Sequence, residues 1–515
     1  MVNRQGRLIL PLLGLGLILS GSPALAQDPL SAIDWLSRSV TAPGAQGIGE
    51  PAVSGAGEAL PQTVVTSVLG ASSPDAVGVL PPESAGLPEN LWGVGQTAEI
   101  ARIIADERTE SLPALQGLLL TLLLTEAEPP PDAGGKGIFL RARIDKLLAM
   151  GALDQAQALI EAAGAVTPEL FRRAFDIAML TGTEDQACET LTDNISLAPT
   201  YPARVFCLAR AGDWNAAALT LRMAQALGYV SEAEDALLSR FLDPDLSDGE
   251  PPLPQPDPIT PLDWRMLEAI GEGLPTQGLP LAFSHAELRE NVGWKAQIEA
   301  AERLGRAGVI DPNLLLGIYT ARQPAASGGV WDRVEAFQKF ETALAAGDLD
   351  AVSATLAPAW SAMAEADLEL AFATLFAERL GELSLSGKAG ALAFRIALLS
   401  SGYEAAARAR KPEDAMEAFL IGIATDKLRD IPPPNSLARA IAPAFLQPAT
   451  SDDLAALLEE RRIGEAILGA TDRIARGLHG ESRLVAEGLS LFQLLGMKDL
   501  TRRTALQLLL LERRG

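Results

Sequence analysis

Histidine is the side chain that most often acts as a general acid or base near neutral pH, and this chain of 515 residues has only two, His285 and His479. His285 follows Ser284 at a predicted helix start, and His479 precedes Gly480 at a predicted helix end. A ring that caps a helix by hydrogen bonding or by charge is ordinary in both places. No serine, cysteine or carboxylate motif frames either ring, so the sequence predicts neither a catalytic histidine nor a multi-histidine metal site.

Two further sequence patterns resemble functional sites but are better explained as a linker and as an exposed helix face. Gly134-Gly135-Lys136-Gly137 lacks the preceding strand, the glycine spacing and the following Ser or Thr that a phosphate-binding loop requires. Glu459 and Glu460 precede two arginines, which is typical of a solvated helix face. Glycoside hydrolysis needs two carboxylates across a cleft, and the sequence singles out no such pair among its 66 acidic residues. We therefore expect no enzymatic activity and no cofactor.

A repeated pattern organises the middle of the chain. Three glycines recur at near-equal spacing, and an alanine stands five residues after each: Gly151 and Ala156, Gly182 and Ala187, Gly212 and Ala217. Apolar residues precede the glycines at common offsets: Leu140, Ile144, Leu147 and Leu148; Phe171, Phe175, Ala178 and Met179; Tyr201, Val205, Leu208 and Ala209. These offsets place four side chains on one face of a helix that ends at the glycine. The small alanine then lets a second helix approach the first.

This step from glycine to alanine resembles the tetratricopeptide repeat, in which the first helix closes at a glycine and a small alanine lies five residues later. Pro168 and Pro199, each seventeen residues past a glycine, stand where that repeat has its terminal proline, whereas the third copy has Tyr229 there. The copies are shorter than the usual ~34 residues and lack the early Trp, Leu, Gly and Tyr signature. The resemblance covers roughly Ile138 to Tyr229 and implies an α-solenoid of stacked helical hairpins.

The chain has two cysteines, Cys188 and Cys207. In the repeat pattern, Cys188 lies in the second helix of the middle copy and Cys207 in the first helix of the next, and the loop from Asp193 to Thr200 lies midway between them. They should therefore stand at matching heights on antiparallel helices, and in an oxidising compartment we expect a disulfide. The alternative is a pair of free buried thiols, since cysteine is commonly buried as a small apolar residue.

The N-terminus has the charged, apolar and small-residue regions of a secretory signal. Two arginines precede an apolar run from Leu8 to Leu19, and Ala24-Leu25-Ala26 follows. This pattern predicts a signal peptide over residues 1–26, with cleavage between Ala26 and Gln27. An uncleaved anchor is disfavoured, because the run is shorter than the roughly 20 residues that span a bilayer. Together with the alanine-rich composition and the preference for arginine, the signal predicts an exported protein of a bacterial periplasm.

Proline- and glycine-rich segments predict the domain boundaries. Residues 27–97 are expected to hold a short helix and then an extended linker, within which residues 87–92 form either part of a mobile tether or a strap anchored by Trp92. Helical periodicity begins near Ala98. The proline-rich segment 242–261 cannot be helix or central strand, so it divides a helical domain at 98–241 from a second one at 262–515. The predicted fold class is all-α.

Composition narrows the range of partners. A formal net charge of -24 disfavours nucleic acid and anionic membranes as partners, because their phosphates repel an acidic surface. Aromatic residues make up only 5% of the chain and alanine and leucine dominate, which favours helices over sheets. The apolar stretch from Leu115 to Leu124 is too short to cross a bilayer. We expect no integral membrane segment after signal cleavage.

Basic residues on the first helices of the three copies predict a locally basic groove on this acidic protein. In stacked hairpins the first helices line the concave side, so side chains between core positions can converge there. Guanidinium groups suit carboxylates, which makes an acidic peptide or a chain terminus of a protein partner the expected ligand. The alternative is a set of solvated helix faces paired with acids such as Asp145 and Asp176. The six residues are Arg141, Arg143, Lys146, Arg172, Arg173 and Arg204.

Three functional hypotheses follow. The first is a non-enzymatic periplasmic helical-repeat protein that acts as a protein-interaction scaffold or adaptor in the cell envelope, because stacked hairpins present long binding surfaces. The second is an enzyme or enzyme accessory that acts on cell-wall polymer, and the third is a structural spacer. The preference for the first rests on analogy, since a fold does not fix a function.

Overall fold

Helices form the regular secondary structure of this protein. The computed structural model describes residues 73–511 apart from residues 165 and 248. Within that part the one β contact is an isolated bridge between Leu80 and Thr125, so the predicted all-α class is confirmed. The predicted signal peptide, its cleavage site at Ala26 and Gln27, and the predicted short helix after it lie outside the described residues.

Residues 73–97, which the sequence predicts as part of a linker, pack against the helices that follow. The segment contains a short helix, α1 (Pro82–Ala85). Leu87, Leu91 and Trp92 are buried, and the Trp92 ring meets Phe139 edge to face, with 5.1 Å between ring centroids. The tether interpretation is wrong for residues 87–92, because three buried apolar side chains fix this stretch to the core. The stretch is anchored by Trp92 as the strap interpretation expects, although residues 89–92 form turns and not an extended chain.

Two helices, α2 (Thr97–Asp106) and α3 (Pro113–Leu124), lead into three helical hairpins at the positions of the sequence copies. The hairpins are α4 (Ile138–Ala149) with α5 (Leu153–Ala163), α6 (Pro168–Thr181) with α7 (Glu184–Asp193), and α8 (Tyr201–Arg210) with α9 (Trp214–Leu227). Gly151, Gly182 and Gly212 follow the first helices with φ of 74°, 84° and 82°, a left-handed conformation that favours glycine. The pairing of helices is confirmed, while membership of the tetratricopeptide family stays a prediction.

The residues that the repeat pattern assigns to helix contacts are in the core. Ala156 and Ala217 are fully buried, and Ala187 is nearly so. The structure joins Cys188 on α7 to Cys207 on α8 in a disulfide with 5.0 Å between Cα atoms. The expected bond is therefore confirmed, and it ties the second hairpin to the third.

Beyond α9 the described chain is a succession of helices joined by non-helical connections, one of which lies in the proline-rich segment. Helix α10 (Glu232–Leu242) and a 3₁₀ turn (Pro244–Ser247) come before residues 249–260, which hold no helix, as their prolines predict. A 3₁₀ helix at Leu281–Leu288 separates α11 from α12. The remaining helices are α11 (Pro261–Ala269), α12 (Trp294–Arg306), α13 (Pro312–Thr320), α14 (Val330–Ala346), α15 (Leu349–Ala364), α16 (Glu369–Gly381), α17 (Gly387–Leu398), α18 (Tyr403–Ala409), α19 (Ala415–Ala424), α20 (Ser436–Leu446), α21 (Asp452–Glu459), α22 (Ile463–Leu478), α23 (Ser482–Leu494) and α24 (Lys498–Leu510).

The proline-rich segment separates helices in sequence but not in space. Helix α6 contacts both α11 and the 3₁₀ helix at Leu281–Leu288. Buried apolar residues from both sides of the segment belong to one continuous core. The two helical regions predicted as separate domains therefore share their packing.

Helices near the end of the described residues pack against helices near their start. Helix α22 contacts α2 and α3, and α24 contacts α3. The backbone N–H of Ala114 donates a 2.8 Å hydrogen bond to the side chain of Gln507. Contacts lead from α4 to the 3₁₀ helix at Leu281–Leu288, on to α12, and then from each helix to the next as far as α19. Helix α19 contacts α24, α24 contacts α3, and α3 contacts α4, which returns the path to its start. The helices thus form a closed circuit of contacts, and the solenoid arrangement itself stays a prediction.

Candidate functional site

Arg143 and Lys146, two of the six cations predicted to line a groove, are buried inside the protein. The Arg143 guanidinium donates hydrogen bonds of 2.6 to 3.0 Å to the carbonyl oxygens of Val77, Leu123 and Thr125. Lys146 donates to the carbonyl oxygens of Ala105 and Glu107. Burial lowers the pKa of Arg143 to about 10 and that of Lys146 to about 8, although the Glu107 carboxylate partly opposes the second shift. Both cations serve to satisfy backbone carbonyls.

Arg172 and Arg173 are also buried, and they pair with the acids that the sequence analysis named as alternatives. Arg172 Nε donates to Asp176 Oδ2 at 3.0 Å. Arg173 holds both oxygens of Asp145, with Nε to Oδ1 at 2.5 Å and an Nη2 contact to Oδ2 at 2.7 Å. Burial raises the pKa of Asp176, and the neighbouring Arg172 charge opposes that shift.

The structure therefore corrects the prediction of an open groove lined by all six cations. Helix α4 is covered by α2, α3, α5 and the 3₁₀ helix at Leu281–Leu288, so the face expected to be concave and open is filled. Arg141 remains at the surface, where it donates to the Lys136 carbonyl at 3.0 Å. The sequence pattern identified the core positions correctly, but it did not reveal the second layer of helices over the cations.

Arg204 differs from the other five cations. Its guanidinium lies 5.4 Å from the centroid of the Tyr201 ring, and that ring stacks on Tyr229 with 5.0 Å between centroids. Among the described residues, the side chain of Arg204 has no ion-pair partner, and its buried Nε has no hydrogen-bond acceptor. In a protein with a net charge of -24, the half-buried Arg204 thus lies over the Tyr201 ring and has no ion-pair partner in the described part of the chain.

An apolar stripe on α9 ends two residues before Tyr229. Leu219, Met223 and Leu227 recur every four residues, so they share one face, and they are 61%, 53% and 59% exposed. The opposite face of α9 is buried through Ala217, Leu221 and Ala224. Exposed apolar side chains in a contiguous row mark interaction sites more often than isolated ones do. The Arg204–α9 surface is defined here as Tyr201, Arg204, Leu219, Met223, Leu227 and Tyr229.

A second candidate site is a cleft of about 720 Å³ between the first and the last helices. It is lined by α2, the residues that follow α2, and α3 on one side, and by α21 and α22 on the other. Its apolar lining consists of aliphatic side chains: Ile103, Leu115, Leu119, Leu454, Leu457 and Leu468. A volume of this size suits a small ligand.

The arginines that line the cleft have partners within the protein. Arg462 binds Glu465 at 2.6 Å and reaches Glu99 at 3.3 Å, which links α22 to α2. Arg102 pairs with Asp106 at 3.0 Å, and Arg473 pairs with Asp453. Arg108 lies 3.3 Å from Nε2 of His479. Most of the positive charge in the cleft is therefore neutralised locally.

The remaining polar groups of the cleft are acceptors. Burial raises the pKa of Glu107 to about 7; the Lys146 ammonium opposes this shift, and the Asp472 carboxylate on α22 adds to it. Glu107 and Asp472 line the cleft from opposite sides. Gln116 is only 6% exposed, and its Nε2 donates to the Thr109 carbonyl at 3.1 Å. Its Oε1 has no hydrogen-bond partner among the described residues.

Sequence reasoning missed this cleft because its two sides come from opposite ends of the chain. No local spacing joins Glu107 to Asp472, and a lone glutamine in a leucine-rich helix carries no signal. Within the described residues no group of His, Cys, Asp and Glu side chains is arranged to hold a metal ion. No helix of that part has the length and apolar character that a membrane crossing demands.

Comparisons of the chain with protein-family models, with curated proteins and with solved structures give no match.

Proposed function

We propose that this protein is a non-enzymatic interaction protein of the cell envelope, which binds a protein partner through the Arg204–α9 surface. The observation that carries the proposal is an arginine without an ion-pair partner among the described residues, which lies over the Tyr201 ring; that ring stacks on Tyr229, and Tyr229 follows the exposed apolar stripe of α9. Arginine and tyrosine are enriched among the residues that dominate protein interfaces. The surface combines both with exposed aliphatic side chains.

The chemistry of the surface specifies the partner. A guanidinium stacked on an aromatic ring is held in place and binds a carboxylate with two parallel hydrogen bonds. The α9 stripe needs apolar side chains opposite it. The partner is therefore a polypeptide segment that carries one carboxylate, from a side chain or a chain terminus, next to apolar residues.

Two observations support the envelope as the site of action. The signal pattern at residues 1–26 is typical of exported proteins. The disulfide between Cys188 and Cys207 is of the kind that forms and persists in oxidising compartments.

The test compares partner binding by full-length variants. The partner is first isolated by cross-linking and co-purification from a native envelope extract, and its affinity is then measured with purified components. We expect Arg204→Glu and Met223→Asp each to weaken binding at least tenfold, because the first reverses the charge and the second puts a charge against apolar side chains. Arg141→Glu is the matched control, since Arg141 is also a surface arginine of a first helix and should have no effect.

Circular dichroism and thermal unfolding verify that each variant is folded. Unchanged affinity in both surface variants contradicts the proposal. Binding to isolated wall polymer without a stoichiometric protein partner also contradicts the proposal and favours the wall-polymer hypothesis. If the protein binds neither a protein nor wall polymer, the proposal is contradicted and a structural spacer is favoured.

A further inference from the structure

We propose that the cleft between the first and last helices binds a small organic ammonium ion with an apolar body, and that the ammonium lies between Glu107 and Asp472, within reach of Gln116. This site is separate from the Arg204–α9 surface, and it would exist whether or not that surface binds a partner.

The floor of the cleft selects the body of the ligand. Its apolar lining includes leucine and isoleucine side chains from both halves of the cleft, of which Ile103 and Leu457 are half-buried and face the space of the cleft. Binding is favoured when the apolar surface of a ligand displaces water from aliphatic side chains. The floor therefore favours a hydrocarbon chain or ring over a polar body.

The charges of the cleft select the head group. Arg102, Arg462 and Arg473 are paired with carboxylates of the protein, and Arg108 contacts the ring of His479 at 3.3 Å. Glu107 belongs to no ion pair of the described residues, and Asp472 has only an exposed contact of 3.7 Å with Arg476. Two carboxylates that repel each other across a cleft are stabilised by a cation between them. The carboxylates of Glu107 and Asp472 are thus the acceptors best placed to bind a positively charged donor.

Gln116 gives an independent indication of the same chemistry. Its Oε1 is a buried acceptor without a donor, whereas the Nε2 of the same side chain is satisfied by Thr109. Buried polar atoms in folded proteins are nearly always hydrogen-bonded, so an orphan acceptor in the wall of a cleft points to a donor that arrives with a ligand. An ammonium has three N–H donors, enough for two carboxylates and one amide oxygen.

Other ligand classes fit the described residues less well. A metal ion needs a tighter cluster of ligands, and the described part of the chain has none. Among the residues that line the cleft there is no aromatic ring on which a sugar could stack. An anion would meet Glu107 and Asp472.

The experiment uses three probes that share one apolar body and differ in the head group: 4-phenylbutylamine, 4-phenylbutan-1-ol and 4-phenylbutyrate. Binding to the full-length protein is measured by titration calorimetry at pH 8.5, where the carboxylates are ionised and the amine is protonated. We expect the amine to bind at least tenfold more tightly than the alcohol, and the carboxylate not to bind.

Variants of the two carboxylates then locate the head group. Glu107→Gln and Asp472→Asn should each weaken amine binding at least fivefold and leave alcohol binding unchanged. Glu481→Gln is the control, because Glu481 is an exposed acid beyond the end of α22 that does not line the cleft. The two test residues lie on separate elements, so either variant suffices if the other fails to fold.

A further variant tests whether the amide oxygen of Gln116 contacts the ammonium. Gln116→Met keeps the size of the side chain and removes the acceptor, and it should also weaken amine binding selectively. The proposal is overturned if the amine binds no better than the alcohol, or if the folded carboxylate variants bind the amine as the unmodified protein does.

Discussion

Arg143 shows how far the role of a basic side chain depends on what covers it. From the sequence it is one of six cations between core positions, but in the structure it donates to three carbonyl oxygens in two separate segments, residues 73–97 and the end of α3. Its neighbour Arg141, two residues away, lies at the surface. Helical spacing distinguishes the core face from the rest of the helix, but it cannot tell a solvated face from one covered by a second layer.

Replacement of Arg143 with methionine should destabilise the protein strongly. The change leaves the carbonyls of Val77, Leu123 and Thr125 without their shared charged donor, and hydrogen bonds to charged groups contribute roughly 1.5–3 kcal/mol each. We expect the free energy of unfolding, measured by urea titration, to fall by about 3 kcal/mol or more. Arg141→Met should change it by less than about 0.5 kcal/mol, as surface substitutions usually do. Equal effects at both positions would contradict this account.

Glu107 should make stability depend on pH. Its pKa is raised from 4.5 to about 7 in the folded protein, so between these values the folded state binds more protons than the unfolded state. The free energy of unfolding therefore decreases as pH rises from about 4.5 to about 7, and the contribution is fully lost above that range. Glu107→Gln removes the ionisable group, so the stability of the variant relative to the unmodified protein should increase between pH 5 and pH 7. Thermal unfolding at both values measures this, and a constant difference would show that the pKa is not raised.

At the scale of elements, the hairpins could be predicted because their signals are local. A glycine that must adopt positive φ and an alanine that lets two helices approach lie within six residues of each other, and both do in the structure what their types require. The same local pattern placed Cys188 opposite Cys207. The strap at residues 87–92 was harder to predict, because its partner at the start of α22 is distant in sequence.

Gly464 is the position where this strap meets α22. Its backbone N–H donates to the Leu91 carbonyl at 2.7 Å, and a Cβ added to it would lie 2.6 Å from Cζ3 of Trp92. Gly464→Ala should therefore displace the indole ring and cost about 1–3 kcal/mol of stability, as overpacking of a core does. Gly117→Ala is the matched control, because that helical glycine has open space around it and an alanine there should stabilise α3 by up to ~1 kcal/mol. Urea titration measures both changes, and tryptophan fluorescence reports the displacement.

At the scale of the whole molecule, composition and periodicity were enough to predict the all-α class, but not the closed circuit of helices. Closure of this circuit depends on contacts such as the hydrogen bond between Ala114 and Gln507. Neither the repeat pattern nor any local spacing predicts such a contact. The cleft is a product of this closure, so it could not be predicted either. Residues 249–260 hold no helix, as their prolines predict, yet the helices on either side share one core, because prolines break helices without preventing the neighbouring helices from packing.

Truncation after Met497 should loosen helices at the opposite end of the sequence. The change removes α24, which contacts α3 and supplies the Gln507 acceptor for Ala114. Hydrogen exchange in α2 and α3 should speed up at least tenfold, while exchange in α14 and α15, which do not contact α24, should change little. Removal of residues 512–515 alone is the control. Uniform acceleration in all helices would indicate global destabilisation instead.

During synthesis, α3 emerges long before the helix that completes its packing. Ala114 and Gln507 are 393 residues apart, so at about 5–20 residues per second the first waits roughly 20–80 s for the second. Throughout that interval the leucine-rich face of α3 has no partner from the end of the chain and remains a surface on which chaperones can act. The synthesis of α24 therefore determines when the packing of α3 is completed.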